Sequence, residues 1–183
     1  MRGEGHSTEP NHILVVGQTA SAADADQAGT SNVIGVTYST DAESWLGQFQ
    51  AGQDRVAVVS VGEHSRTAVG ATASQDAGMD VLASVTGTVE TVPEVDDVAS
   101  VGMLVNDYLS AWQGTGDTTV FIDDLGAVLD VVSAETAFRF VHALLARSSS
   151  MDARVVAGFD TSKQPPHVVD TFAQLFDEVR EGA

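Results

Sequence analysis

Apolar positions along the chain follow two alternating rhythms. The first is a set of short, nearly unbroken β-branched runs: His12-Ile-Leu-Val-Val16, Asn32 to Tyr38, Arg55 to Val61, Thr118 to Asp123 and Ala153 to Gly158. Runs of this kind suit strands buried on both faces, as in a parallel sheet. Asp80 to Val85 follows the pattern less well. The second rhythm places apolar residues at steps of three and four, the spacing of one helix face. It predicts a helix capped by Asp41 with Trp45, Leu46 and Phe49 inside, and a longer one from Val98 through Val101, Leu104, Val105, Tyr108 and Leu109 to Trp112. Asp96 or Asp97 caps that helix, and Gly114 and Gly116 end it. Ser133 to Arg147 repeats the stripe. Pro165 and Pro166 open a last helix carrying Val169, Phe172, Leu175 and Phe176.

Strands that alternate with helices imply right-handed crossovers and helices on both faces of the sheet. The expected fold class is therefore α/β, a mostly parallel central sheet in three layers, built as one domain over residues 12–183. Residues 1–11 carry Gly, Ser, Glu and Pro without periodicity and read as a flexible arm. Residues 62–80, with Ser, Thr, Gly and Ala, read as an irregular connection. Residues 177–183 either continue the last helix or add an edge strand.

Charge changes the picture of partners. Eight Lys and Arg face 26 Asp and Glu in 183 residues, a net charge of −18, and the only lysine is Lys163. Such a surface repels phosphate backbones and anionic lipid, so nucleic acid and membrane are poor partners. The acids are spread along the chain, which argues against an acidic tail. Lysine poverty with abundant acid, Ala, Val and Thr fits a halophile that keeps molar salt in its cytoplasm, where a Debye length of about 3 Å screens self-repulsion. No cysteine is present, so disulfides, thiolate metal sites and a cysteine nucleophile are excluded. No apolar run approaches a membrane span and the N-terminus has no apolar signal core, so a cytoplasmic location is expected.

Ligands of open α/β sheets bind outside the carboxyl ends of the strands. Two such ends carry chemistry. Strand one runs into Gly17-Gln-Thr-Ala-Ser21 and a stretch of small residues. Val120-Phe-Ile-Asp123-Asp124 delivers two carboxylates. A glycine-bearing loop after the first strand, followed later by a strand ending in Asp, resembles the RecA/KaiC-like P-loop ATPase superfamily, and in particular degenerate haloarchaeal KaiC-like proteins. The resemblance covers roughly residues 12–180 and rests on this element order. It implies a three-layer RecA-like domain, nucleotide contacts at Gly17, Thr19 and Ser21, magnesium at Asp123 and Asp124, and ATP or ADP as the ligand. The catalytic glutamate that the superfamily carries after its second strand corresponds most nearly to Glu43, with Asp41 just before it, in a stretch that reads equally as a helix cap and first-turn acids.

The sequence departs from that pattern where the chemistry is. A phosphate loop of the form G-x-x-x-x-G-K-[ST] uses its lysine as a fixed charge on the phosphates. Here Ala22 stands at the second glycine, Ala23 at the lysine and Asp24 at the hydroxyl, while Asp24 and Asp26 add negative charge. The expectation is a non-catalytic module that keeps the fold for binding or regulation, through a protein partner or its own copies, in signalling. The alternative is a nucleotide-binding ATPase whose cation comes from Lys163, Arg66 or a neighbouring subunit. A third reading is a metal sensor that uses Asp123 and Asp124 alone. Other chemistries lack their motifs: there is no G-x-G-x-x-G, no G-x-S-x-G, and no close histidine pair among His6, His12, His64, His142 and His167. A receiver domain would need acids after the first strand, where Gly17 and Gln18 stand.

Overall fold

The computed structural model describes residues 11–20, 31–49, 53–62 and 87–182. Its strands are β1 (Ile13–Val16), β2 (Asn32–Thr37), β3 (Arg55–Val61), β4 (Gly87–Val92), β5 (Thr118–Ile122), β6 (Arg154–Phe159) and β7 (Glu178–Glu181). Its helices are α1 (Ala42–Gly47), α2 (Val98–Ala111), α3 (Leu125–Val131), α4 (Ala134–Ser150) and α5 (Pro166–Ala173). The described strands form one sheet in the order β4-β3-β2-β5-β6-β1-β7, and every neighbouring pair is parallel. This is an α/β three-layer fold of the Rossmann and RecA-like kind.

The layers follow from the crossovers. The step from β2 to β3 runs toward one sheet edge, and the steps β4 to β5, β5 to β6 and β6 to β7 run toward the other. Right-handed connections then need the two sets of helices on opposite faces. Period-two alternation supplies an apolar surface for each. Phe121 points with Val33, Val58 and Val156 toward α1, where Trp45, Leu46 and Phe49 bury against them. Val120 and Ile122 point with Ile34 and Val59 toward the layer of α2, α3, α4 and α5. Trp45, Phe49 and Phe121 meet with ring centroids 4.5–6.0 Å apart, and each large side chain buried this way contributes about 1.5–3 kcal/mol. Gly35 lies directly under the Trp45 ring, where any β-carbon would collide with it.

Asp41 and Asp97 cap their helices as the sequence predicts, and Ser133 caps α4; each accepts from a backbone N–H three residues on. Three elements differ from expectation. Strand β4 was not expected: as an edge strand it alternates half-buried and exposed positions, and Gly, Thr and Glu dilute its apolar pattern. The short α3 separates β5 from α4. The last helix stops at Ala173, and Phe176 fills the core from the turn that follows. Glu178–Glu181 is an edge strand, which resolves the choice left open for the C-terminal residues. Residues 1–10 of the arm expected over 1–11, residues 63–80 of the expected connection and the Asp80–Val85 run lie outside the described residues. Among the described residues no helix is long and apolar enough to cross a membrane.

Candidate functional site

The sheet reverses its winding between β2 and β5, whose connections leave in opposite directions. A crevice at such a point is where open α/β sheets bind ligands. The carboxyl ends of β1, β6, β5 and β2 carry Gly17, Asp160, Asp123 and Tyr38 respectively. One side chain holds this edge together. Asp123 is fully buried, and its carboxylate accepts four backbone N–H groups. Oδ1 takes those of Tyr38 and Asp124, both at 2.8 Å, and Oδ2 takes those of Ser39 at 2.8 Å and Thr40 at 2.9 Å. Strand β2 ends at Thr37 because the next three N–H groups turn to this carboxylate. Burial raises the Asp123 pKa above the ordinary carboxylate value, while the four donors oppose that shift. A proton on either oxygen would displace one of them.

Asp124 does related work. Its Oδ1 caps α3 through Gly126 N–H at 2.8 Å and also accepts Asp160 N–H at 2.9 Å, tying β5 to the loop after β6. Its Oδ2 lies 3.5 Å from Ser39 Oγ. Burial raises its pKa, and the Asp160 carboxylate adds to that shift.

The Gly17 loop closes over β6. Gly17 adopts φ +92°, a left-handed conformation natural to glycine, and is exposed with open space where a side chain would be. Gly17 N–H donates to Phe159 O at 2.8 Å, Phe159 N–H to Gln18 O at 3.0 Å, and Ala20 N–H to Asp123 O at 2.9 Å. The Gly17 and Ala20 N–H groups are thus engaged by neighbouring carbonyls. Gly158 makes the crossing possible, because a β-carbon there would strike the backbone of Ala20 and Asp123. Its role was not legible in the sequence; the signal available was a small residue one place before a strand's end.

The predicted site residues therefore divide. Gly17, Asp123 and Asp124 come together, and Ala20 bridges the loop to Asp123. Thr19 is exposed on the loop. Glu43 is exposed in the first turn of α1, and no hydrogen bond or ion pair joins it to Asp123 or Asp124. Ser21, Ala22, Ala23, Asp24, Asp26 and Arg66 lie outside the described residues. Lys163 stands on the loop after β6, at this same edge, with Asp130 at 3.7 Å. A magnesium ion on Asp123 would have to compete for a carboxylate whose roughly four lone-pair positions already receive N–H groups. Among the described residues no three His, Asp or Glu side chains gather to hold a metal.

A second pairing, at the amino end of the sheet, has the outline of a nucleophile and its base. His12 Nε2 is 2.7 Å from Ser149 Oγ. The ring is in the opposite tautomer from the one a base needs. Nδ1 accepts Val155 N–H at 3.1 Å, so the neutral ring carries its proton on Nε2 and donates it to the serine. His12 is a fastener joining β1, α4 and β6, and burial lowers its pKa.

Over residues 10–181 the chain matches a family of unknown function, DUF7504. It belongs to that family. No curated protein matches this DUF7504 chain. Among solved structures it is similar to the uncharacterized protein PH0321 from Pyrococcus horikoshii, whose crystal structure is in complex with an unknown peptide. The TM-score is 0.57 at 12% identity, with 93% of this chain and 76% of that chain covered. Identity that low makes this a likeness of fold.

Proposed function

We propose that this DUF7504 chain is a non-hydrolysing RecA/KaiC-like module of a halophile that acts through protein–protein contacts in signalling or regulation. The carrying observation is the use made of the Asp123 carboxylate, which is committed to four backbone N–H groups where the resembling ATPases hold magnesium. The loop before it supports the same reading. It lacks a lysine, and its Gly17 and Ala20 N–H groups are taken by carbonyls. The direct Ala20–Asp123 hydrogen bond ties this loop to the end of β5. The unknown peptide held by the Pyrococcus protein of like fold is in line with a protein-binding role.

One observation favours a second reading, a nucleotide-binding ATPase with an atypical loop. Lys163 reaches the carboxyl edge from the strand between β1 and β5, so a cation is available there from a distant part of the chain.

Thermal unfolding separates the two. The midpoint is measured in about 2–3 M KCl, which screens the acidic surface, with and without ATP, ADP and magnesium. A ligand bound only by the native state at about 100 times its Kd stabilises by about 2.7 kcal/mol. An unchanged midpoint is the expected result. A rise with ATP and magnesium that is lost in Lys163→Ala, together with phosphate release in a hydrolysis assay, overturns the non-hydrolysing reading in favour of the second.

A further inference from the structure

Helix α4 breaks the charge pattern of the chain. Every other described helix carries an acid and neither Lys nor Arg, whereas α4 carries Arg139 and Arg147 against the single Glu135. From Thr136 to Met151 there is no carboxylate at all, in a chain with 26 acids in 183 residues. An acidic coat that keeps the surface hydrated has been left off this one face.

The same face is apolar. An open groove of about 500 Å³ runs between α4 and α5 over Phe138, Val168 and Phe172, with Glu135, Arg139 and His167 at its rim. A second, of about 360 Å³, runs between α2 and α4 over Gly102, Met103, Phe140 and Ala143, with Arg147 at its rim. Met103 stands 67% exposed, an adaptable apolar side chain with solvent around it. The arginines are not equivalent. Arg139 pairs with Glu135 one turn away at 2.5 Å. Arg147 is steadied across the helix pair by Asn106 Oδ1 and Ser110 Oγ, both neutral, so among the described residues no carboxylate offsets its charge.

We infer that the α4 face, with its two flanking grooves, docks an acidic amphipathic helix of a partner protein. Apolar residues of that helix would fill the grooves as Met103 and Phe138 invite, and its flanking carboxylates would meet Arg147 and Arg139. A second copy of this chain fits less well, because a twofold contact through α4 brings two net-positive helices together. The inference rests on the protein-binding reading above and names its surface and the chemistry of its partner.

Two measurements test it. In the first, fluorescence anisotropy follows a synthetic amphipathic helix of about 18 residues, leucine on one face and glutamate on its flanks, against the same helix with lysine flanks. The acidic helix is expected to bind more tightly. Arg139→Glu and Arg147→Glu are each expected to weaken it about tenfold, and Met103→Asp also weakens it. All three sites are exposed, so circular dichroism and the unfolding midpoint stay as in the native chain. Equal binding of the two helices, or unchanged binding by all three variants, overturns the proposal. In the second, a photo-crosslinking residue is placed in the host cell at Ala143, or on the edge strands at Glu90 or Val179. An adduct at Ala143 that disappears with Arg147→Glu supports the α4 surface. Adducts from the edge strands alone overturn that surface and leave the protein-binding reading standing. No adduct from any position overturns both.

Discussion

Replacing Asp123 by asparagine removes one oxygen and puts an NH2 in its place, with almost no change in volume. The native carboxylate receives two N–H groups on each oxygen. In the variant one pair keeps its acceptor, and the other pair faces two new donors inside a fully buried site. Loss of two charge-assisted hydrogen bonds, with their donors left unpaired, costs about 3–5 kcal/mol. For a chain of this size that lowers the unfolding midpoint by roughly 6–20 °C. Asp124→Asn is the control. There Oδ1 alone takes Gly126 and Asp160, an asparagine oxygen can do the same, and its NH2 can donate to Ser39 Oγ. Asparagine is also as good an N-cap as aspartate, so the expected change is within about 0.5 kcal/mol. Urea unfolding in molar KCl, followed by circular dichroism, reads both variants. If Asp123→Asn costs less than about 1 kcal/mol, or if the two variants are equally damaging, the backbone cradle does not hold this edge together and the argument against a metal role falls with it.

Three other outcomes follow from the geometry. Burial holds the His12 pKa below 6.5, so the unfolded chain takes up a proton first as pH falls. Its contribution to stability is complete above about pH 6.5 and is lost as pH drops from there through the folded pKa. The unfolding midpoint should therefore fall more steeply between pH 7.5 and pH 5.5 in the native chain than in His12→Leu, and NMR titration of the ring should give a midpoint below 6.5; a higher midpoint refutes the fastener. Gly158→Ala forces the Gly17–Ala20 loop away from β6 and breaks the Ala20–Asp123 bond, with an expected loss of about 3 kcal/mol or more by unfolding titration. Raising KCl from about 0.2 to about 3 M should increase the unfolding midpoint of a chain with net charge −18, and a midpoint that stays flat would count against the halophile reading.

Element order was legible because burial on two faces writes itself into composition. Strands β2, β3, β5 and β6 are nearly unbroken apolar runs, and α2 and α4 carry stripes whose spacing only a helix satisfies. The caps Asp41 and Asp97 were readable for the same reason, since each acts within one helical turn. Strands β4 and β7 lie at the sheet edges, where one side needs no apolar residue, and there the pattern is thin. The pair Asp123-Asp124 was visible as a pair, but its work was not. A carboxylate that binds magnesium and one that binds four backbone N–H groups have the same letter in the sequence. The difference lies in Tyr38, Ser39 and Thr40, 83 to 85 residues earlier in the chain, which only the fold brings within 2.9 Å. Gly158 and the apolar face of α4 are similar cases. The first is defined by a loop that crosses it, the second by grooves that exist only once α2, α4 and α5 pack side by side. Local chemistry sets the elements, because caps and stripes act over a few residues. Which polar groups are satisfied, and by whom, is decided when distant segments meet away from water.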